Sequence, residues 1–196
     1  GLDMLYTRLP DASIEIRRTI SAWNAGNQVK TTGKAVIENS VIVSQCGFFH
    51  GMPYWNNDDD CRANGDALVF ALNPGDQATV TNTTLTGEGT CLVIAECAMD
   101  KTCTGEEKGV MRYVRFQGQE VFFSPGEQTC FAWYDDESPL PLPQNPFDIG
   151  YSLISGLRFG NVNPCGGGHN QCGLMTGLLD ASIESFDPHL LPGSPA

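Results

Sequence analysis

Ser13-Ile14-Glu15-Ile16-Arg17 alternates apolar and polar side chains without a break. Successive side chains of a strand point to opposite faces, so this period of two turns both isoleucines toward a core and the charges toward water. The same alternation, bounded by Gly, Pro and Asn, recurs over residues 34–43, 66–72, 78–84, 91–97, 110–116, 120–123, 129–134 and 151–159. About nine short strands, many roughly ten residues apart, are the spacing of a sandwich or barrel. The expected fold is therefore all-β: a disulfide-stabilised β-sandwich, jelly-roll or Ig-like, with little helix. The best helical candidate is 174–186, where Leu174, Leu178, Leu179 and Ile183 fall at near-helical spacing. Gly177 weakens it, and a strand through Ile183 competes.

Punctuation between these segments is local. Pro74-Gly75 and Pro125-Gly126 each follow an apolar run and precede a Thr-containing one, the composition of a type II turn. Asp-Ala-Ser-Ile-Glu occurs at 11–15 and again at 180–184, but the two similarities differ in separation, so no tandem repeat is expected. Four prolines at 139, 141, 143 and 146 forbid a central strand and make 135–147 an extended surface loop. The 196 residues suffice for one domain spanning 1–196 and its own core.

Composition narrows the function classes. The 17% charged residues, with 22 Gly and 12 Pro, exclude a coiled coil or helical repeat. The longest apolar runs fall far short of a membrane helix, so no membrane insertion is expected. No signal-peptide stretch stands at the start, and the chain reads as mature. A formal charge of −12 repels polyanions, which argues against nucleic acid and anionic membranes as partners. The surplus is local: residues 1–40 hold five basic and four acidic side chains, whereas from Asp135 onward Arg158 stands alone against seven acids.

Cys46, Cys61, Cys91, Cys97, Cys103, Cys130, Cys165 and Cys172 are even in number and include no C-x-x-C pair. Disulfides in an oxidising compartment, hence a secreted protein, are the economical reading. Proximity in sequence favours 165 with 172, 46 with 61, 97 with 103 and 91 with 130. A sequon at Asn82-Thr83-Thr84 agrees with secretion.

Three stretches could carry chemistry. Phe48-Phe49-His50-Gly51-Met52-Pro53-Tyr54-Trp55 packs four aromatics into eight residues, directly before Asn56 and Asn57. Aromatic faces stack on sugar C–H groups while amides take the hydroxyls, so Phe49, His50, Tyr54, Trp55, Asn56 and Asn57 are candidate ligand contacts. The bland alternative is a small apolar cluster beneath a loop. Asp58, Asp60, Asn64 and Asp66 offer hard oxygen ligands near a Gly turn, as calcium requires, but the spacing departs from a helix-loop-helix site and no Glu closes it. A solvated turn is the alternative to calcium. Glu96 and Glu120 each lie in an otherwise apolar strand, where a core-lining face would raise a carboxyl pKa as a glycosidase acid needs. A one-residue slip would instead make them surface residues.

Residues 165–173, Cys-Gly-Gly-Gly-His-Asn-Gln-Cys-Gly, lack the Lys of a phosphate loop and are expected to form a short disulfide-closed loop rather than a zinc site on Cys165, His169 and Cys172. No Gly-x-Ser-x-Gly elbow is present. The sequence thus points to a secreted binding module recognising glycans or a cell-wall or host surface through residues 48–66. A polysaccharide hydrolase or lyase using Glu96 and Glu120, and an effector that binds another protein, are the alternatives.

Overall fold

The computed structural model describes residues 13–22, 24, 26–45, 66–98, 104–122, 124–134, 147–159, 163–174, 177–180 and 187–194. The described chain runs as repeated triplets of short strands. The first coil holds β1 (Ser13–Arg17), β2 (Ile20–Ser21) and β3 (Val29–Thr32), and the second β4 (Lys34–Glu38), β5 (Val41–Ser44) and β6 (Leu68–Leu72). The third holds β7 (Gln77–Thr81), β8 (Thr84–Gly87) and β9 (Cys91–Cys97), and the fourth β10 (Lys108–Arg112), β11 (Arg115–Gly118) and β12 (Cys130–Tyr134). The fifth holds β13 (Phe147–Gly150), β14 (Leu153–Ser155) and β15 (Arg158–Phe159), and β16 (Gln171–Cys172) continues the stack beyond β14. The last two strands, β17 (Leu178–Asp180) and β18 (Asp187–Leu190), form an antiparallel pair.

From β1 to β12 each strand pairs in parallel with the strand three places on, and β14 pairs in parallel with β16. The results are a first sheet β1-β4-β7-β10-β13, a second β2-β5-β8-β11-β14-β16 and a third β3-β6-β9-β12-β15. A chain that visits three parallel sheets in rotation is a three-sided solenoid, a parallel β-helix. The all-β expectation is met, and among the described residues the only helical turn is the 3-10 segment Pro164–Gly166. The sandwich is corrected. A sandwich pairs antiparallel strands in two facing sheets, and here the three stacked sheets are parallel throughout. Parallel sheets usually betray themselves by continuous apolar runs, because helices cover both faces. In this coil one face lines the lumen and the other turns outward, so each strand alternates like an antiparallel one. Period two identified strands and was blind to their direction.

The lumen is filled by like residues stacked in register. Ile16, Ile37, Val80, Met111 and Ile149 form one column on the first sheet. Ile42, Leu85, Phe116 and Ile154 form a second, and Val29, Leu68, Val93 and Phe131 a third. Phe116, Phe131 and Phe147, one from each sheet, meet edge to face with centroids 5.6 and 4.7 Å apart. Each fully buried side chain of this size contributes roughly 1.5–3 kcal/mol. Gly109, stacked beside Phe147, leaves space for its ring; a Cβ there would lie 2.8 Å from Phe147 Cδ1.

Coil length is not constant. Ser13 stacks on Lys34 but Ala35 on Ala78, because residues 45–67 are inserted between β5 and β6. Pro74-Gly75 turns the chain from β6 into β7, and Gly75 takes the φ of +74° that the third position of a type II turn requires. Cys91 is bonded to Cys130, joining the third sheet's β9 and β12, and Cys165 is bonded to Cys172. Cys97 is also in a disulfide. Cys46, Cys61 and Cys103 lie outside the described residues, as does the Pro-rich segment up to residue 146. The helix considered for 174–186 is replaced, over its described part, by β17.

Candidate functional site

The corner between the first and second sheets is turned each time by a single left-handed residue. Arg18, Asn39, Asn82, Tyr113 and Tyr151 have φ between 47° and 57°, and His169, which precedes β16, has φ 57°. The amides of the first five bond to the next turn of chain, as in Asn39 N–H to Thr81 O at 3.1 Å and Tyr113 N–H to Gly150 O at 3.3 Å. The residue after each is mostly a small hydroxyl or amide turned inward. Ser152 Oγ accepts from the Val114 amide at 3.1 Å and donates to Gly150 O, and Asn170 Oδ1 accepts from the Ser152 amide at 3.1 Å. Thr83 and Ser40 repeat the pattern higher on the corner. An αL residue followed by a capping hydroxyl thus turns the chain without Gly or Pro. Asn82-Thr83 fills this role as well: Asn tolerates αL, and the Thr83 hydroxyl donates to Thr81 O.

In the lower three coils the αL position changes from asparagine to rings. Tyr113 stacks on Tyr151 at 5.6 Å and 25°, and Tyr151 on His169 at 5.1 Å and 17°. Tyr113 is 60% exposed and Tyr151 54%. Beside the stack lies an open cavity of about 430 Å³, lined by the three rings with Asn82, Val114, Ser152, Arg115, Leu153 and Gln171. Arg115, Leu153 and Gln171 are register neighbours on the second sheet, so the cavity is a groove along the coil axis with rings on one side. His169 is held firmly. The Cys165–Cys172 disulfide closes its loop, and Asn170 Nδ2 donates to Ile149 O and Pro164 O, both at 2.9 Å.

The expected carboxylate pair is not brought together. Glu96 lies on the outer face at the far end of β9, 3.4 Å from Lys30 Nζ. Glu120 is exposed in the loop after β11, where it accepts the Gly126 amide at 2.5 Å and faces Gln128 in a two-residue bridge. That loop is tied to the start of β9, since Phe122 N–H bonds Glu88 O and Cys130 N–H bonds Thr90 O. The two glutamates therefore stand at opposite ends of a seven-residue strand, roughly 15–20 Å at strand rise.

Asp66, expected as a metal ligand, is 3% exposed and spent on the backbone: its carboxylate accepts the Cys91 amide at 3.1 Å. Burial, reinforced by Glu96 and opposed by the Cys91 amide and Lys30, raises its pKa to about 7. Asp58, Asp60 and Asn64 lie outside the described residues, as do Phe49, His50, Tyr54, Trp55, Asn56 and Asn57. Among the described residues no cluster of three metal-ligating side chains forms. No helix among them is long and apolar enough to cross a membrane.

Tyr113, Tyr151, Arg115 and Gln171 were not singled out as a site from sequence. The available signal was the dipeptide at four of the six αL positions, Asn39-Ser40, Asn82-Thr83, Tyr151-Ser152 and His169-Asn170. Comparison with protein-family models, curated proteins and solved structures returns no match.

Proposed function

We propose that this chain is an extracellular binding module that recognises glycans, and that its contact surface includes the groove beside Tyr113, Tyr151 and His169. The observation that carries this reading is the pair of exposed tyrosines in αL geometry. A bulky residue there costs on the order of 1–2 kcal/mol, and in the two coils above, asparagine fills the same position at little cost. Rings that are strained and exposed do not stabilise a core. They offer what saccharide recognition uses: aromatic surface, with the amides of Asn82 and Gln171 and the phenols to take hydroxyls. The aromatic stretch 48–55, which falls between β5 and β6 in the chain, belongs to the same proposal on its composition. The disulfides support an oxidising, extracellular setting. With Glu96 paired to Lys30 and Glu120 at the other end of β9, no observation favours the hydrolase.

The test is glycan-array binding followed by calorimetry on the best neutral and acidic hits. Binding is expected for the wild type and is expected to fall at least tenfold in Tyr113→Ala/Tyr151→Ala. A wild type that binds no glycan, or a double variant that binds as well, would overturn the proposal.

A further inference from the structure

Resting on that reading, we infer that the groove takes a saccharide bearing an isolated carboxylate, with Arg115 as the residue that binds the charge. Arg115 is half-buried at the start of β11 and lines the groove floor beside Leu153 and Gln171. The other half-buried cations among the described residues are matched: Arg112 with Asp148 at 2.6 Å, and Lys30 with Glu96 at 3.4 Å. Among the described residues, the Arg115 side chain alone of the three has no hydrogen bond, ion pair or ring contact. Burial acts on it unopposed and lowers its pKa, yet a guanidinium stays charged at any working pH.

A half-buried guanidinium without a counter-ion is costly to keep, in a chain with 23 acidic residues available to pair it. Its planar fork matches a carboxylate in two parallel hydrogen bonds. The stacked rings rise on one side of the groove and the Gln171 amide lies two strands further along its floor. A sugar lying against the rings would therefore present a carboxylate to Arg115 and hydroxyls to Gln171. The overall charge of −12 selects further. Long-range repulsion grows with every charge on the ligand and is screened only beyond about 8–10 Å, so one carboxylate on an otherwise neutral saccharide is favoured over a dense polyanion.

Calorimetry at physiological salt separates the possibilities, using 3′-sialyllactose and glucuronosyl-galactose, each with one carboxylate, against lactose, the methyl ester of glucuronosyl-galactose and lactose 3′-sulfate. The carboxylate sugars are expected to bind about 10–100-fold more tightly than their neutral counterparts. Arg115→Gln should bring that ratio down to near one, and Arg115→Lys should restore only part of it. A ratio near one in the wild type, or a ratio intact in Arg115→Gln, would overturn the assignment while leaving glycan binding in place. Tighter binding of the sulfate than of sialyllactose would overturn the carboxylate in favour of a sulfate ester. If the wild type binds none of the five sugars and no array glycan, the parent proposal falls too.

Discussion

Asp66→Asn should change how stability depends on pH, with a sign that follows from its burial and a size of a few kcal/mol. Asp66 ties three coils together: its carbonyl accepts Gln28 N–H at 3.0 Å, its amide donates to Asn27 Oδ1 at 3.3 Å, and its carboxylate accepts Cys91 N–H at 3.1 Å. Burial moves its pKa from 3.8 to about 7. Between those values the folded chain holds a proton that the unfolded chain has released, so stability falls as pH rises. The stabilisation is fully present below pH 3.8 and is lost as pH passes through about 7. At about 1.4 kcal/mol per pH unit the whole effect is about 4 kcal/mol, a large share of a typical domain's stability. Asparagine keeps the Cys91 hydrogen bond and removes the titration. Urea unfolding of both proteins from pH 4.5 to 9 should show the wild type gaining about 3 kcal/mol on the variant as pH drops from 7 to 4.5, with little further divergence above pH 8. Taking the difference between the two proteins removes the other carboxylates. A stability difference that is flat with pH would refute the burial of a titrating carboxyl at Asp66.

Ser152→Ala should cost about 1–3 kcal/mol in urea unfolding, because the buried Val114 amide loses its acceptor; Ser152→Thr should recover most of it, and a neutral Ser152→Ala would show that the corner ladder is dispensable. Tyr113→Asn and Tyr151→Asn should leave stability within about 1 kcal/mol of wild type, since relief of αL strain offsets lost stacking, while saccharide binding is lost. A stability loss well beyond that would mark the rings as structural. Replacing Cys91 and Cys130 with serine should cost about 4 kcal/mol and replacing Cys165 and Cys172 about 2, following sequence separations of 39 and 7; thermal unfolding giving the reverse order would contradict the loop-entropy assignment.

The strands were legible and their arrangement was not. Residues 13–17 and 91–97 stand in the structure as the alternation bounded them. Residues 34–43, 78–84 and 110–116, each one strand by periodicity, are two strands with a corner at Asn39-Ser40, Asn82-Thr83 or Tyr113-Val114. One αL residue turns the chain there, leaving no Gly or Pro cluster to see. The repeat escaped for a related reason. Insertions such as 45–67 and 119–129 make the coils unequal, so stacked residues share no fixed period. Asp66 looked like a ligand because acids near Asn and Gly suit calcium, whereas its burial follows from the stacking of Gln28 and Cys91 on either side. Tyr113 and Tyr151 could not be recognised as exposed neighbours before the coils that stack them were known.

The most direct test of the binding groove is a site-resolved NMR titration with 3′-sialyllactose. The ring resonances of Tyr113, Tyr151 and His169 and the Arg115 side-chain signals should shift together along one saturation curve, while Arg18 and Asn39, at the upper end of the same corner, stay unmoved. Saturable shifts confined to residues away from this corner would contradict it.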